Sequence, residues 1–375
     1  ALEVEIPERE EIRHRIVPAF RATAYWQDVQ SEVKELIEAT TRLSEGLRGL
    51  LKLCGEIPEE HADPFISNLT DLGGLGQRLE GLIAELGRFL SEDDDNCAWI
   101  ELREGRIGRG TGIVTRLCSS PLSVDKLLRE SLFERSKTVV LTSATLAVNN
   151  RFDYLKQRTG LDGIEPGRLT ELELPSPFDF SRQALLAVPA DNPAPGQNGY
   201  PEMLREQIEQ AILAAGGRTF VLFTAYSMLR RIHAELAPIL EPQGYRCLRQ
   251  GEMNRHRLLK TFSDDANSIL FATDSFWEGV DVPGRSLEQV IIARLPFRVP
   301  SEPVLEARAE AIERAGGDPF MEYTVPQAVI RFKQGFGRLI RHREDRGVVL
   351  ILDNRVIKRG YGRMFINSLP DVPLT

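Results

Sequence analysis

Apolar residues keep two different rhythms along this chain. From Val33 to Cys54 they step as Leu36, Leu43, Leu47 and Leu50, with Ile37 and Leu51 alongside. A second stripe runs Leu72, Leu75, Leu79, Leu82, Ile83, Leu86 and Leu90. Both have helical spacing, and Gly55, Pro58 and Pro64 interrupt them, so the pattern predicts an antiparallel helical hairpin whose stripes are its core. Beyond the Asp93–Asn96 loop, 97–102 and 113–117 read as strands around the glycine-rich run 105–112. That run has no Lys-Ser/Thr ending and precedes no helix, so a hairpin turn is expected instead of a phosphate loop.

From about residue 138 the rhythm changes to short apolar runs: 139–141, 184–188, 219–223, 269–271, 290–292 and 348–352. Helical patterns near 201–215, 226–239, 253–263, 303–315 and 325–341 alternate with them. Continuous β-branched runs separated by helices predict buried parallel strands, hence an α/β doubly wound sheet over 136–375 behind a helical region over 1–135. Ligands of such sheets gather at the carboxyl ends of the strands. The runs at 139, 220 and 269 are followed by Ser143 and Thr145, by Thr224, and by Thr273 with Trp277, Glu278, Gly279 and Asp281. The last helical pattern closes on Gln334, Gly337, Arg338 and Arg341, and continuing it puts the two arginines on one face beside a glycine, suited to gripping a polyphosphate.

Composition narrows the classes. The chain has 375 residues, 42% hydrophobic and 27% charged, with formal net charge −8. Residues 1–95 hold 10 Lys/Arg against 21 Asp/Glu, so an acidic part joins a mildly basic one. Cys54, Cys97, Cys118 and Cys247 form no C-x-x-C pair, which points away from zinc knuckles and disulfide frameworks. No apolar run approaches the ~20 residues of a membrane span, and the acidic start does not resemble a signal peptide, so a cytoplasmic location without membrane partners is expected.

Taken together, Thr142-Ser143-Ala144-Thr145-Leu146, Leu222-Phe223-Thr224, Phe276-Trp277-Glu278-Gly279-Val280-Asp281-Val282-Pro283-Gly284, Leu295-Pro296-Phe297 and Gln334 to Arg341 resemble the DinG/XPD branch of superfamily 2 DNA helicases, DinG most closely. The ordered set spans roughly 138–355; the helical hairpin is similar to part of that family's arch. The resemblance implies a motor that hydrolyses ATP with Mg²⁺ between two RecA-like domains while single-stranded DNA crosses both. This chain then corresponds to the arch-like region and second RecA-like domain. Arg338 and Arg341 match its arginine fingers, and Gln334 and Gly337 the same wall. Glu278, Gly279 and Asp281 match the motif coupling nucleotide to DNA. Thr224 and Thr273 match contacts to DNA phosphates, while Trp277 either stacks on a base or packs in the core. Ser143 and Thr145 match the motif linking hydrolysis to unwinding.

The chain carries neither a G-x-x-x-x-G-K-[ST] loop nor an Asp-Glu-Ala-His box. The expectation is therefore that a first RecA-like domain, absent here and the place of any iron–sulfur cluster, completes the ATP and Mg²⁺ site, and that the chain alone is inactive. The alternative is a non-catalytic DNA- or protein-binding module with a degenerate RecA-like domain.

Overall fold

The computed structural model describes residues 12–56, 65–107, 110–273, 276–277, 287–298 and 302–375. The chain divides into two compact units, Ala1–Ser123 with Pro300–Arg314, and Val124–Val299 with Ala315–Thr375.

In the first unit, helices α1 (Ala24–Cys54) and α2 (Ile66–Leu90) form the expected hairpin. Thr23 caps α1 by accepting the Trp26 amide at 3.3 Å. Only part of each stripe is core: Leu36, Leu43 and Leu50 on α1, with Leu75 and Leu82 on α2, are 41–62% exposed, whereas Ile37, Leu47, Leu51, Leu72, Leu79 and Ile83 are half-buried and Leu86 is buried. Val33, Thr40 and Ser44, outside the α1 stripe, are buried too, with Phe89 on α2. Two helices can cover only one strip of each other, and a wide stripe leaves its margin in water. Strands β1 (Ile12–Arg15), β2 (Asn96–Ile107) and β3 (Gly110–Pro121) make an antiparallel sheet in that order. Gly105 pairs with Gly112 in the β2–β3 ladder, so the glycine-rich run is a hairpin. Helix α6 (Pro303–Arg314), which the sequence pattern ranks among the helices alternating with strands, belongs to this unit. It is held by ion pairs from Arg15 to Glu306 and Glu310 and by Arg308 Nε donating to the Leu122 carbonyl at 2.8 Å.

The second unit is a six-stranded, wholly parallel sheet in the order β4-β9-β8-β5-β7-β6, formed by Ala184–Ala187 (β4), Thr219–Leu222 (β5), Arg246–Arg249 (β6), Ser268–Ala272 (β7), Gln289–Ile292 (β8) and Gly347–Ile351 (β9). Strand side chains alternate between faces. Val221 and Phe223 join helices α3 (Tyr200–Ala215) and α4 (Tyr226–Leu240) in one core, while Phe220 and Leu222 join α5 (Arg255–Asp264) and α7 (Val325–Phe336) in the other. Every residue of β5, β7 and β8 is buried, which is why these strands read as continuous apolar runs. The free side of β4 is covered by the C-terminal segment, with Leu186 N–H donating to Pro373 O and Thr375 N–H to Leu186 O, both at 2.9 Å.

The run 139–141 departs from expectation: it is not a strand, and Val139, Val140 and Leu141 are 36%, 79% and 44% exposed. Apolar composition marks a segment that can pair; forming a strand also needs a neighbouring ladder, and no described strand lies beside it.

Candidate functional site

Helix α7 is set by its apolar face. Val325, Ala328, Val329, Phe332 and Phe336 are buried at spacings of three and four, and Pro326 sits in the first turn, where a missing N–H costs nothing. The helix stops at Phe336, earlier than the periodicity predicts. Gly337 is its C-cap, donating to Lys333 O at 2.9 Å, and the chain then tightens through Arg338 N–H to Gly335 O at 3.2 Å. Arg338 and Arg341 therefore do not share a helical face.

Gly335 has no room for a side chain. A Cβ there would lie 2.8 Å from Cε3 and Cζ3 of Trp277 and 3.3 Å from Cδ1 of Leu222. Trp277 is 1% exposed, and its Nε1 donates to Phe223 O at 3.2 Å. The two readings of this residue thus resolve toward packing: the ring is used inside the core and presents no face for a base. Its backbone does something else. Arg338 donates through Nε and Nη2 to the Trp277 carbonyl, at 3.2 and 2.7 Å. The turn after α7 is hung on the segment after β7.

Arg338, Gln334 and Gly337 line a cavity of about 940 Å³ together with Ser143, Thr145 and Lys333. The hydroxyls of Ser143 and Thr145 are 3.3 Å apart, and the Thr145 amide donates to Ser143 Oγ at 3.2 Å. Because 139–141 is not a strand, these two do not belong to the strand-end rim; they meet the end of α7 instead. Lys333 holds the same segment by donating from Nζ to Ala147 O at 2.9 Å. Burial lowers the Lys333 pKa, with the negative charge of Glu173 opposing. Gln334 Oε1 is buried, and among the described residues it has no hydrogen-bond partner. Arg341 is absent from this lining. Its amide donates to Asp345 Oδ2 at 2.8 Å, and burial lowers its guanidinium pKa against the attraction of Asp345.

Thr224 and Thr273 follow β5 and β7, adjacent strands, so both stand at the carboxyl rim as expected. Thr273 is oriented by Gln250, whose Oε1 accepts from its amide at 2.7 Å and its hydroxyl at 3.1 Å. Glu278, Gly279 and Asp281 lie outside the described residues. Sequence reading missed Lys333 and Gln250. Lys333 adjoins Gln334 and lies within the basic run 329–346, which was legible; Gln250 follows an unpredicted strand, and no local signal marks it.

Chemically, the cavity joins the Arg338 guanidinium, the Lys333 amine and the Ser143 and Thr145 hydroxyls, donors able to meet a terminal phosphate, with the carboxylates of Glu173, Asp179 and Asp371 also in its lining. Among the described residues no group of three His, Cys, Asp or Glu is placed to hold a metal ion, and no helix is long and apolar enough to cross a membrane.

Residues 208–372 match the helicase C-terminal domain family. The chain is 43% identical over 259 residues to the ATP-dependent DNA helicase YoaA of Escherichia coli, covering 69% of this chain and 40% of that one. It is 35% identical over 314 residues to the protein named 3'-5' exonuclease DinG of Bacillus subtilis, covering 82% and 32%. The chain spans about a third to a half of the length of the curated relatives it matches. In fold it is similar to an apo XPD structure, with TM-score 0.52 and 14% identity over 85% of this chain and 63% of that one.

Proposed function

Residues 208–372 are a helicase C-terminal domain and the chain is DinG-like, and on that premise we propose that it is the arch-like region (1–135) and second RecA-like motor domain (136–375) of an ATP-dependent DNA helicase. The observation that carries this reading is the cavity in which Gln334, Gly337 and Arg338 meet Ser143 and Thr145. Glu173, Asp179 and Asp371 share the lining, and the Arg338 end of it, with Lys333 and the two hydroxyls, is the part suited to bringing positive charge to a phosphoryl-transfer transition state. A first RecA-like domain supplies the other half, holding the β- and γ-phosphates and Mg²⁺. ATP bound there would provide the phosphoanhydride that is cleaved.

Arg338 is the principal finger. Its attachment to the Trp277 carbonyl ties the finger to the segment carrying Glu278, Gly279 and Asp281. A shift of that segment on single-stranded DNA moves the guanidinium with it, so DNA occupancy and hydrolysis are coupled mechanically. Arg341, held at the Asp345 turn, is the second finger and reaches the nucleotide when the domains close. Thr224 and Thr273 contact DNA phosphates from the rim, and Ser143 and Thr145 relay hydrolysis to unwinding. Splitting the site between domains makes turnover depend on closure.

The test uses the protein carrying its first motor domain. Arg338→Ala should lower DNA-stimulated ATP hydrolysis by about 10³-fold or more, the scale of an arginine finger, while nucleotide binding stays within a few fold. The 375-residue chain alone should hydrolyse no ATP. Robust DNA-stimulated turnover by that chain, or full turnover by Arg338→Ala, would overturn the assignment.

A further inference from the structure

The carboxyl ends of β8 and β9 lead into an aromatic group that none of the residues above uses. Phe297 stacks on Phe320 with centroids 5.7 Å apart and planes at 29°. Tyr361 stands edge-on to both, at 5.8 and 5.2 Å. Behind them lies Phe365, fully buried and 5.9 Å from Phe297, so the group is rooted in the core. Its outer edge is open: Phe320 is 39% exposed, and Tyr361 and Phe297 are partly exposed.

Cations flank Phe297 and Tyr361, while beside Phe320 stand two carboxylates, Asp318, which accepts the Phe320 amide at 2.9 Å, and Glu322, which accepts the Asp318 amide at 2.9 Å. Arg355 lies 5.5 Å from the centre of Phe297, and its Nε and Nη2 donate to Asp353 at 2.8 and 2.6 Å. Asp353 is wholly buried and also accepts the Leu295 amide at 2.9 Å, so the guanidinium is fixed in place. Residues 355–363 contain four Lys/Arg and no Asp/Glu, in a chain of net charge −8, and Lys358 and Arg359 are exposed. Partly exposed rings beside one fixed and two exposed cations match one kind of ligand well. Bases stack on rings, and phosphates pair with cations, in any sequence. The strand order agrees: β8 and β9, after which Phe297 and Arg355 follow, lie two and three strand steps from β7 and its Thr273, about 10 and 14 Å at ~4.8 Å each, a span of a few nucleotides.

We propose that Phe297, Phe320 and Tyr361, with Arg355, Lys358 and Arg359, form a stacking platform for single-stranded DNA at the β8–β9 end of the rim that Thr224 and Thr273 mark. This rests on the reading of that rim as a single-stranded DNA path. The platform grips bases without reading them, and it holds one end of the strand while the middle of the rim moves with the nucleotide cycle.

The experiment measures binding of a fluorescent oligo(dT) to the 375-residue chain. Phe320→Ala should weaken binding by roughly 5- to 150-fold, the range for losing one base stack, whereas Phe320→Trp should retain it. An abasic site walked along the oligonucleotide should weaken wild type at one position and leave Phe320→Ala unaffected there. Replacing Lys358 and Arg359 with alanine should flatten the dependence of log affinity on log salt by about 0.7 per cation. Ultraviolet cross-linking of the unaltered chain to oligo(dT) should place thymine on the peptides holding Phe320 or Tyr361, whatever the variants do to folding. If wild type does not bind oligo(dT), the rim reading falls and the platform with it. If wild type binds and Thr224→Ala or Thr273→Ala weakens it, while Phe320→Ala binds normally and cross-links map elsewhere, the platform alone is overturned.

Discussion

Replacing Gly335 with alanine sets two terms of similar size against each other. Propensity favours the change by at most the value for a helix interior, about 0.8–1 kcal/mol, since Gly335 is the penultimate residue of α7. Packing opposes it, because the new Cβ would sit 2.8 Å from two carbons of the Trp277 ring and 3.3 Å from Leu222. Neither neighbour is the loose end of a flexible side chain; both are buried. Forcing one carbon into a filled core typically costs about 1–3 kcal/mol, so the net expectation is a loss of about 1 kcal/mol. Urea unfolding of the 375-residue chain should show a lower midpoint for Gly335→Ala at unchanged slope. Gly81→Ala, on α2 with nothing within 4 Å of the added carbon, should instead gain up to about 1 kcal/mol. Shrinking the ring should relieve the clash, so Gly335→Ala in a Trp277→Leu background should cost nothing or stabilise, a coupling of about 1 kcal/mol or more. In the complete enzyme Gly335→Ala should also depress hydrolysis, because the displaced Trp277 carries the carbonyl that holds Arg338. A Gly335→Ala chain that is stabilised like Gly81→Ala would refute the close contact between Gly335 and the Trp277 ring.

Three further outcomes follow from buried groups. Burial lowers the Lys333 pKa, so between that value and the ordinary ~10.4 the unfolded chain binds more protons than the folded one, and stability rises with pH. The melting temperature of wild type minus that of Lys333→Met should therefore increase from pH 7 toward pH 10; a flat difference would contradict it. Asp353→Asn leaves Arg355 without its buried counter-charge and should destabilise by about 3 kcal/mol, read by thermal unfolding. Burial pushes the Cys247 thiol up to about 12, so thiol reagents at pH 8 should modify the partly exposed Cys54 well before Cys247, checked by mass mapping of the native chain.

Most of the second unit was legible because its strands are buried on both faces. Such strands appear as unbroken apolar runs, and the helices between them carry a period of 3.6, so the doubly wound sheet follows from local pattern alone. Strand β6 escaped because Arg246 and Arg249 bracket only two buried residues. The run 139–141 misled for the opposite reason: it is apolar enough to be a strand, yet whether it pairs depends on a partner far away in sequence. The leucine stripes of the hairpin likewise announce two helices without stating how much of each the other can cover.

By itself, then, the chain determined most of its elements, the apolar face of α7 and the residue types able to grip phosphates, since all of these depend on near neighbours. Only the tertiary structure decided which of them meet. It ends α7 at Gly337, separating Arg338 from Arg341, and closes the Trp277 ring under Gly335 while its carbonyl holds Arg338. It also brings Ser143 and Thr145, nearly two hundred residues away, to the same cavity. Contacts of that kind are chosen by packing volume and hydrogen-bond satisfaction summed over the whole core, and no local stretch of sequence contains that sum.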